Sequence, residues 1–295
     1  MSNLSRKQKR LGWLFLIPTL LVLLIVGLYP LGQTFYMSLT DAQLGQRDAP
    51  EFVGFDNYVK LFQQKSFWQS VWHTVIFTVS SVTCELILGM IIALVINTKI
   101  RGRGVLRAAA LIPWAIPTVI SAKIWSFMLV DTFGVVNDIL VTRLGILDTK
   151  IAWLAEPGLA LGGVIAVDVW KTTPFMALLL LAGLQIIPEG LYEAANVDGA
   201  SKPQQFFRIT LPLLKPTILV ALIFRTLDAL RVFDAIWVMT SGMVGTESMA
   251  TYNYRQLISF RKLGYGSSIS VSIFTLIAIF ILIYISVFKG WRKKI

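Results

Sequence analysis

Residues 264–288 read GYGSSISVSIFTLIAIFILIYISVF and contain no charged side chain. A helix needs about 20 predominantly apolar residues to cross the hydrocarbon core of a bilayer, so this stretch is long enough to span a membrane. The whole chain has the same character, because 56% of its 295 residues are hydrophobic and only 15% are charged. Soluble domains average about 25% charged residues, so the composition excludes an ordinary soluble fold.

Five further stretches of similar character precede this one, and together they predict an all-α polytopic membrane protein with six transmembrane helices. The predicted spans cover residues 11–40, 71–98, 108–130, 157–188, 216–240 and 264–288. The basic and then apolar start imitates a signal peptide, but no small-residue cleavage pattern closes it. We therefore interpret the first stretch as a retained helix.

Lys and Arg residues are unevenly distributed among the connecting segments. Of the 27, 15 lie at the two termini and in the loops after the second and fourth spans, eight lie in the other loops, and four lie within spans. Because cytoplasmic loops are enriched in Lys and Arg, both termini are predicted to be cytoplasmic. The net charge of +11 is then a basic rim against anionic lipid rather than a nucleic-acid-binding surface.

These spans suggest a division of the chain into three parts. Residues 1–70 form an N-terminal transmembrane helix and an outer loop, residues 71–288 form a five-helix core, and residues 289–295 form a basic cytoplasmic tail. The core contains a cytoplasmic loop at residues 188–212.

The residue inventory restricts the chemistry that the chain can perform. Cys84 is the only cysteine and His73 the only histidine, which excludes an internal disulfide and a His/Cys metal cluster. The sequence has no G-x-x-x-x-G-K-[S/T] phosphate loop, so ATP binding by this chain is not expected. No nucleophile and base stand at a recognisable spacing. The sequence thus predicts a protein that is not an enzyme and has no cofactor, catalytic residue or metal of its own.

The loop at residues 188–212 carries strong helix signals. Pro188 suits a first helical position, and Gly199 suits the left-handed residue that ends a helix. Ser201 and Gln204 have the spacing of a capping box, which predicts a second short helix that ends at Leu211-Pro212. The residues alone leave two interpretations open, a docking element for a partner or an amphipathic connector that rests on lipid.

This loop resembles that of the permease subunits of binding-protein-dependent ABC importers. The family carries Glu-Ala-Ala, three residues, a Gly and later Ile-x-Leu-Pro, matched here by residues 193–195, Gly199 and residues 209–212. The segments 170–176 and 224–234 are similar to those of the carbohydrate branch. The resemblance implies a MetI-like architecture. It also implies that the loop is a coupling helix, which docks on an ATPase subunit through five residues: Glu193, Ala194, Ala195, Asp198 and Gly199.

The resemblance further implies a transmembrane subunit of an ATP-driven importer in the bacterial plasma membrane. Its cargo would be a sugar, either a disaccharide or a glucoside compatible solute such as trehalose or glucosylglycerol. Six spans form half of a pore, which implies a second permease in a heterodimer, two ATPase subunits that hydrolyse ATP, and an extracytoplasmic sugar-binding protein. The alternative is an ion-coupled secondary transporter in which Asp228 or Glu85 binds a proton or cation, but the internal repeats common in such folds are missing.

The fifth predicted span is unusual because it holds four charges of alternating sign: Arg225, Asp228, Arg231 and Asp234. Each charge costs about 2.5–3.5 kcal/mol at a helix centre, so the four need partners or water. Residues three apart are neighbours on a helix, which predicts either a self-neutralising ladder or the polar wall of a translocation path. On the ladder interpretation, removing Asp228 alone should be more harmful than removing it together with Arg225.

Three other spans also contain charges. Asp168 and Lys171 have the same three-residue spacing and are predicted to form a structural pair. Glu85 and Lys123 have no partner within their own spans, and a pair across helices is the open possibility.

A sugar site needs aromatic platforms beside polar side chains, because sugar rings present apolar C–H faces. Phe233 and Trp237 lie one helical turn apart beside Asp234 and are the preferred platforms. Most other Trp and Tyr residues are explained by the aromatic belt at the membrane interface. The candidate substrate path is therefore Arg225, Asp228, Arg231, Phe233, Asp234 and Trp237.

Overall fold

The computed structural model describes residues 3–98, 102–243 and 245–292. Within these ranges the backbone is helical apart from turns, irregular loops and one isolated bridge between Thr40 and Phe52. The α-helices are α1 (Asn3–Leu23), α2 (Tyr29–Ser38), α3 (Asp56–Gln63), α4 (Lys65–Asn97), α5 (Arg103–Ala115), α6 (Thr118–Met128), α7 (Val135–Asn137), α8 (Pro157–Leu184), α9 (Glu189–Val197), α10 (Lys202–Gln205), α11 (Leu211–Ala229), α12 (Asp234–Thr240), α13 (Met249–Tyr254) and α14 (Leu263–Arg292). Single π-helical segments at Leu24–Leu28, Asp138–Arg143, Phe206–Thr210 and Arg255–Ser259 join or extend them.

Five of the resulting helical stretches are long and apolar enough to cross a membrane, and a bent pair makes a sixth. The five are Gln8–Ser38, Lys65–Asn97, Pro157–Leu184, Lys202–Ala229 and Leu263–Ser286, and the pair is Gly104–Ala115 with Thr118–Met128. The predicted class, an all-α polytopic membrane protein, is confirmed.

The third predicted span is not a single helix. Its two halves, within α5 and α6, are bent by 88° at residues 116–117. Pro117 disfavours helical backbone at the preceding residue, and Ile116 is extended with φ −75° and ψ 133°. The break exposes polar backbone at membrane depth, which is tolerated where it lines a cavity or is covered by protein.

The bounds of the fifth predicted span are also wrong. The helix ends at Ala229, and α12 begins only at Asp234 after a non-helical segment. Inside this break Ser248 Oγ donates a hydrogen bond to the Val232 carbonyl at 2.8 Å, so a carbonyl without a helical partner is satisfied.

The same span begins earlier than predicted, because the second loop helix does not stop at Leu211-Pro212. It continues from α10 through the π-helical turn Phe206–Thr210 into α11. Pro212 stands directly after this π-helical turn, where the regular hydrogen-bond pattern of the α-helix is already interrupted, so the helix passes the proline without ending.

The described chain clusters into two compact units. One contains residues 1–65 with 253–275, and the other contains residues 66–252 with 276–295. The larger unit has two apolar cores, one around Val164 and Ile236 and one around Met176 and Leu214. The predicted three-part division stays a prediction, and residues 293–295 of its basic tail lie outside the described residues.

Candidate functional site

Arg225 of α11 lies at the centre of an ionic cluster inside the helical bundle. Its Nη2 is 2.7 Å from Glu85 Oε1 of α4 and 3.0 Å from Asp168 Oδ2 of α8, and its Nε also donates to Glu85. Its Nη1 is 2.5 Å from Asp228 Oδ2 on its own helix. The Arg225 side chain is only 2% exposed and that of Glu85 is 0% exposed. One guanidinium therefore holds three carboxylates from three helices.

Thr172 adds a further bond to this cluster. Its Oγ1 is 2.6 Å from Glu85 Oε1, so both oxygens of the buried carboxylate are bonded. The cluster is thus well satisfied on its buried side. Asp228 differs from the other two carboxylates, because its side chain is 69% exposed.

The predicted four-charge ladder is wrong. Among the described residues, only its first step, Arg225 with Asp228, forms an ion pair. Arg231 lies beyond the end of α11, and its Nε bonds the Leu227 carbonyl at 3.2 Å. Asp234 stands on a different helix, α12. The helix ends before the ladder is complete, so the later charges do not share one helical surface.

The predicted pair of Asp168 with Lys171 is replaced by a pair of Asp168 with Arg225. Glu85 and Asp168 are site residues that the sequence reasoning left out of the candidate path. The sequence does indicate that Glu85 has a special role, since a single carboxylate within a span must pair with a group on another helix or reach water. The identity of that partner required the tertiary structure.

The exposed side of the cluster borders a cavity of about 150 Å³. Both helix breaks meet there, the one between α5 and α6 and the one between α11 and α12. The cavity is lined by Phe77, Trp114, Thr118, Asp168, Lys171, Thr172, Arg225, Asp228, Ala229, Arg231, Val232, Asp234 and Ala235. Non-helical backbone beside charged side chains at membrane depth is the arrangement found in transporter binding sites.

The aromatic residues around the cavity differ from those predicted. Phe233 and Trp237 stack with ring centroids 5.7 Å apart and an interplanar angle of 12°, but neither lines the described cavity. Trp114, which the sequence reasoning passed over, does line it. Four of the six predicted path residues, Arg225, Asp228, Arg231 and Asp234, reach the cavity wall.

The loop between α8 and α11 is the second notable feature. As predicted, a short helix (α9) ends just before Gly199, which has φ +73°, and Ser201 N–H bonds Gln204 Oε1 at 2.8 Å in a capping box. Pro188 precedes the helix rather than occupying its first turn. The backbone of Gly199 lies in the left-handed region, which favours glycine.

Buried polar contacts hold the two arms of this loop together. Gln205, only 3% exposed, donates from Nε2 to Asn196 Oδ1 at 2.7 Å and to the Ala200 carbonyl at 3.0 Å. Tyr192 Oη and Thr210 Oγ1 are 2.8 Å apart. The turn is therefore rigid, and its angle depends on the geometry around residue 199.

The outer surface of the loop is uncovered. Val197 is 89% exposed and Ile186 is 80% exposed. Glu193, Ala194, Asp198 and Gly199 are also exposed, while Ala195 is half-buried. This side of the loop is therefore accessible to another protein.

The fold and the site define a class: a polytopic membrane protein with a polar cavity at two helix breaks and a rigid helical loop. Residues 85–291 match the family of binding-protein-dependent transport system inner membrane components. The chain belongs to this family of ABC importer permeases, as the resemblance indicated, and it is an inner membrane component.

Two relatives and one solved structure illustrate the similarity. The chain is 46% identical over 290 residues to the trehalose/maltose transport system permease protein MalF of Thermococcus litoralis, covering 97% of this chain and 96% of that one. It is 41% identical over 284 residues to the sulfoquinovosyl glycerol transport system permease protein SmoG of Agrobacterium fabrum, covering 96% and 91%. A bacterial ABC transporter involved in the import of the acidic polysaccharide alginate matches with TM-score 0.80 and 26% identity, over 97% of this chain and 98% of that chain.

Proposed function

We propose that the chain is one half of the translocation pore of an ATP-driven importer for a sugar, such as a disaccharide or a glucoside compatible solute. The observation that carries this proposal is the 46% identity to a trehalose/maltose permease over 97% of the chain. The polar cavity at the two helix breaks supports it, since it offers hydrogen-bonding groups beside aromatic rings. The chain itself acts without catalysis, and ATP is hydrolysed by partner subunits.

The proposed complex contains this chain, a second permease, two ATPase subunits and an extracytoplasmic binding protein. The loop carrying Glu193, Ala194, Ala195, Asp198 and Gly199 is the contact to an ATPase subunit. Its support is the rigid turn and the exposed apolar and acidic surface described above. Because a short helix tied to α11 moves with that helix, closure of the ATPase subunits can change the cavity at the far end of α11.

Transport by the complete complex tests the proposal. Proteoliposomes with both permeases and both ATPase subunits should take up radiolabelled trehalose only under one condition. ATP must be supplied on the side of the ATPase subunits, and the binding protein must be supplied on the opposite side. Uptake should persist after ionophores have collapsed all ion gradients. A preparation without the binding protein is the control. Uptake that followed an ion gradient in the absence of ATP would contradict the proposal and favour a secondary transporter.

The orientation of the chain gives a second prediction, with both termini and Gly102 facing the cytoplasm and Gln46 and Thr149 facing outward. It rests on the 15 to 8 division of Lys and Arg. The three sites are exposed, and the one native cysteine, Cys84, can be replaced by serine. Single cysteines at Gln46 and Thr149 should react with an impermeant thiol reagent on intact cells, and one at Gly102 should not. Labelling at Gly102 together with protection at Gln46 would show that the chain has the opposite orientation in the membrane.

A further inference from the structure

Trp114 occupies a special position at the helix break. It stands near the end of α5, two residues before the extended Ile116, and its side chain is 48% exposed. Phe175 of α8 stacks on it with ring centroids 5.8 Å apart and an interplanar angle of 14°. Phe175 fixes the indole plane from one side, while the indole also forms part of the cavity wall. The result is a fixed aromatic surface beside the charged groups of the site.

The charged side chains that line the cavity wall are equal in number and opposite in sign. The cavity wall carries three aspartates and three cations: Asp168, Asp228, Asp234, Lys171, Arg225 and Arg231. Glu85 binds Arg225 from behind the wall and brings the formal charge of the whole group to −1. Arg225 is already engaged by three carboxylates, so it has little capacity left for an anion from outside.

The aromatic surface of Trp114 and the charges on the cavity wall together determine which ligand fits. Ionised carboxylates are acceptors only, so the exposed Asp228 and Asp234 suit the hydroxyl donors of a sugar. Lys171 and Arg231 line the same wall, but with Glu85 the carboxylates outnumber the cations by four to three, so the group as a whole disfavours a further carboxylate. A flat aromatic surface complements the apolar C–H face of a sugar ring. The cavity volume of about 150 Å³ corresponds to about five water molecules at about 30 Å³ each, which is on the order of the volume of one sugar ring.

We propose that Trp114 is the stacking platform for one ring of the substrate and that the cavity selects an uncharged glycoside over an acidic one. The proposal rests on the proposed function as a sugar importer and adds a platform residue and a charge preference to it. On this proposal the charge preference of this chain differs from that of the similar transporter, which is involved in the import of the acidic polysaccharide alginate.

Thr118 provides a reporter for the test, since it lines the same cavity from the first turn of α6. With Cys84 replaced by serine, a Thr118→Cys variant of the purified complex is labelled by a small thiol reagent without any binding protein. Trehalose should slow this labelling. Trp114→Ala should raise the half-protecting concentration about tenfold, equivalent to about 1.4 kcal/mol, and Trp114→Phe should restore most of the protection.

The matched control is Trp125→Ala, which removes an indole from the pair with Trp170 and not from the cavity wall. It should leave protection by trehalose unchanged. A uronic-acid analogue of trehalose should not protect in the parent variant. Equal protection by the acidic analogue, or unchanged protection in Trp114→Ala, would overturn the inference. Because the complete importer is tested separately for ATP-driven uptake, a failure here leaves that result standing, whereas absence of all sugar uptake would remove the proposed function itself.

Discussion

Arg225→Met should prevent stable accumulation of the chain in the membrane. The substitution leaves Glu85, with no exposed surface, and the nearly buried Asp168 without their cation. Removing one partner of a buried ion pair costs about 3–5 kcal/mol, and here one cation serves three carboxylates. The measurements are the level of the chain in membranes and the thermal unfolding midpoint of the detergent-solubilised complex.

Two variants separate this explanation from simple loss of side-chain volume. Adding Glu85→Gln and Asp168→Asn to Arg225→Met removes the unpaired charges and should recover much of the stability. Asp228→Asn alone should cost less than about 1 kcal/mol, because that carboxylate is 69% exposed and exposed pairs contribute little. From this geometry we expect the removal of Arg225 together with Asp228 to be more harmful than the removal of Asp228 alone, which is the opposite of the prediction from the sequence. Normal levels of Arg225→Met would contradict the cluster as a stabilising element.

Gly199→Leu should reduce uptake at least about tenfold while the chain stays in the membrane. Gly199 has φ +73° and no neighbouring atom within 4 Å of an added Cβ, so the penalty is conformational and not a clash. A left-handed backbone costs a residue with a Cβ about 1–2 kcal/mol, and the rigid loop would relieve it by changing the angle of α9. The decisive measurement is retention of the ATPase subunits on the purified complex, alongside transport.

Asn is the matched replacement at this position, because it adopts left-handed backbone more readily than other residues with a side chain. Gly199→Asn should therefore be much less harmful than Gly199→Leu. If both variants impaired retention equally, the effect would come from contact with the added side chain. If neither variant impaired retention, the loop would be interpreted as an amphipathic connector on the membrane surface.

The loop at residues 188–212 shows how much of the local structure can be predicted from the sequence. Gly199 and the pair Ser201 and Gln204 act through backbone and near-neighbour bonds, so their spacing predicted the helix end and the capping box that the structure contains. The contact between Asn196 and Gln205 is also local, yet its geometry depends on how the turn closes. The prediction that the second loop helix ends at Pro212 was wrong, because a π-helical turn at Phe206–Thr210 interrupts the regular hydrogen-bond pattern just before the proline and lets the helix continue.

The amino-acid sequence alone determined the class, an all-α polytopic membrane protein, because the bilayer sets the length and the apolar character that a spanning helix needs. It also determined that charges within spans need partners. Only the tertiary structure decided which partners they have: Arg225 pairs with Glu85, 140 positions away along the chain, and with Asp168, 57 positions away. It also decided where the helices break, and thus that Trp114 borders the cavity while Phe233 does not. A period along one helix specifies neighbours on that helix, whereas a cavity is formed by several helices whose packing no single segment encodes.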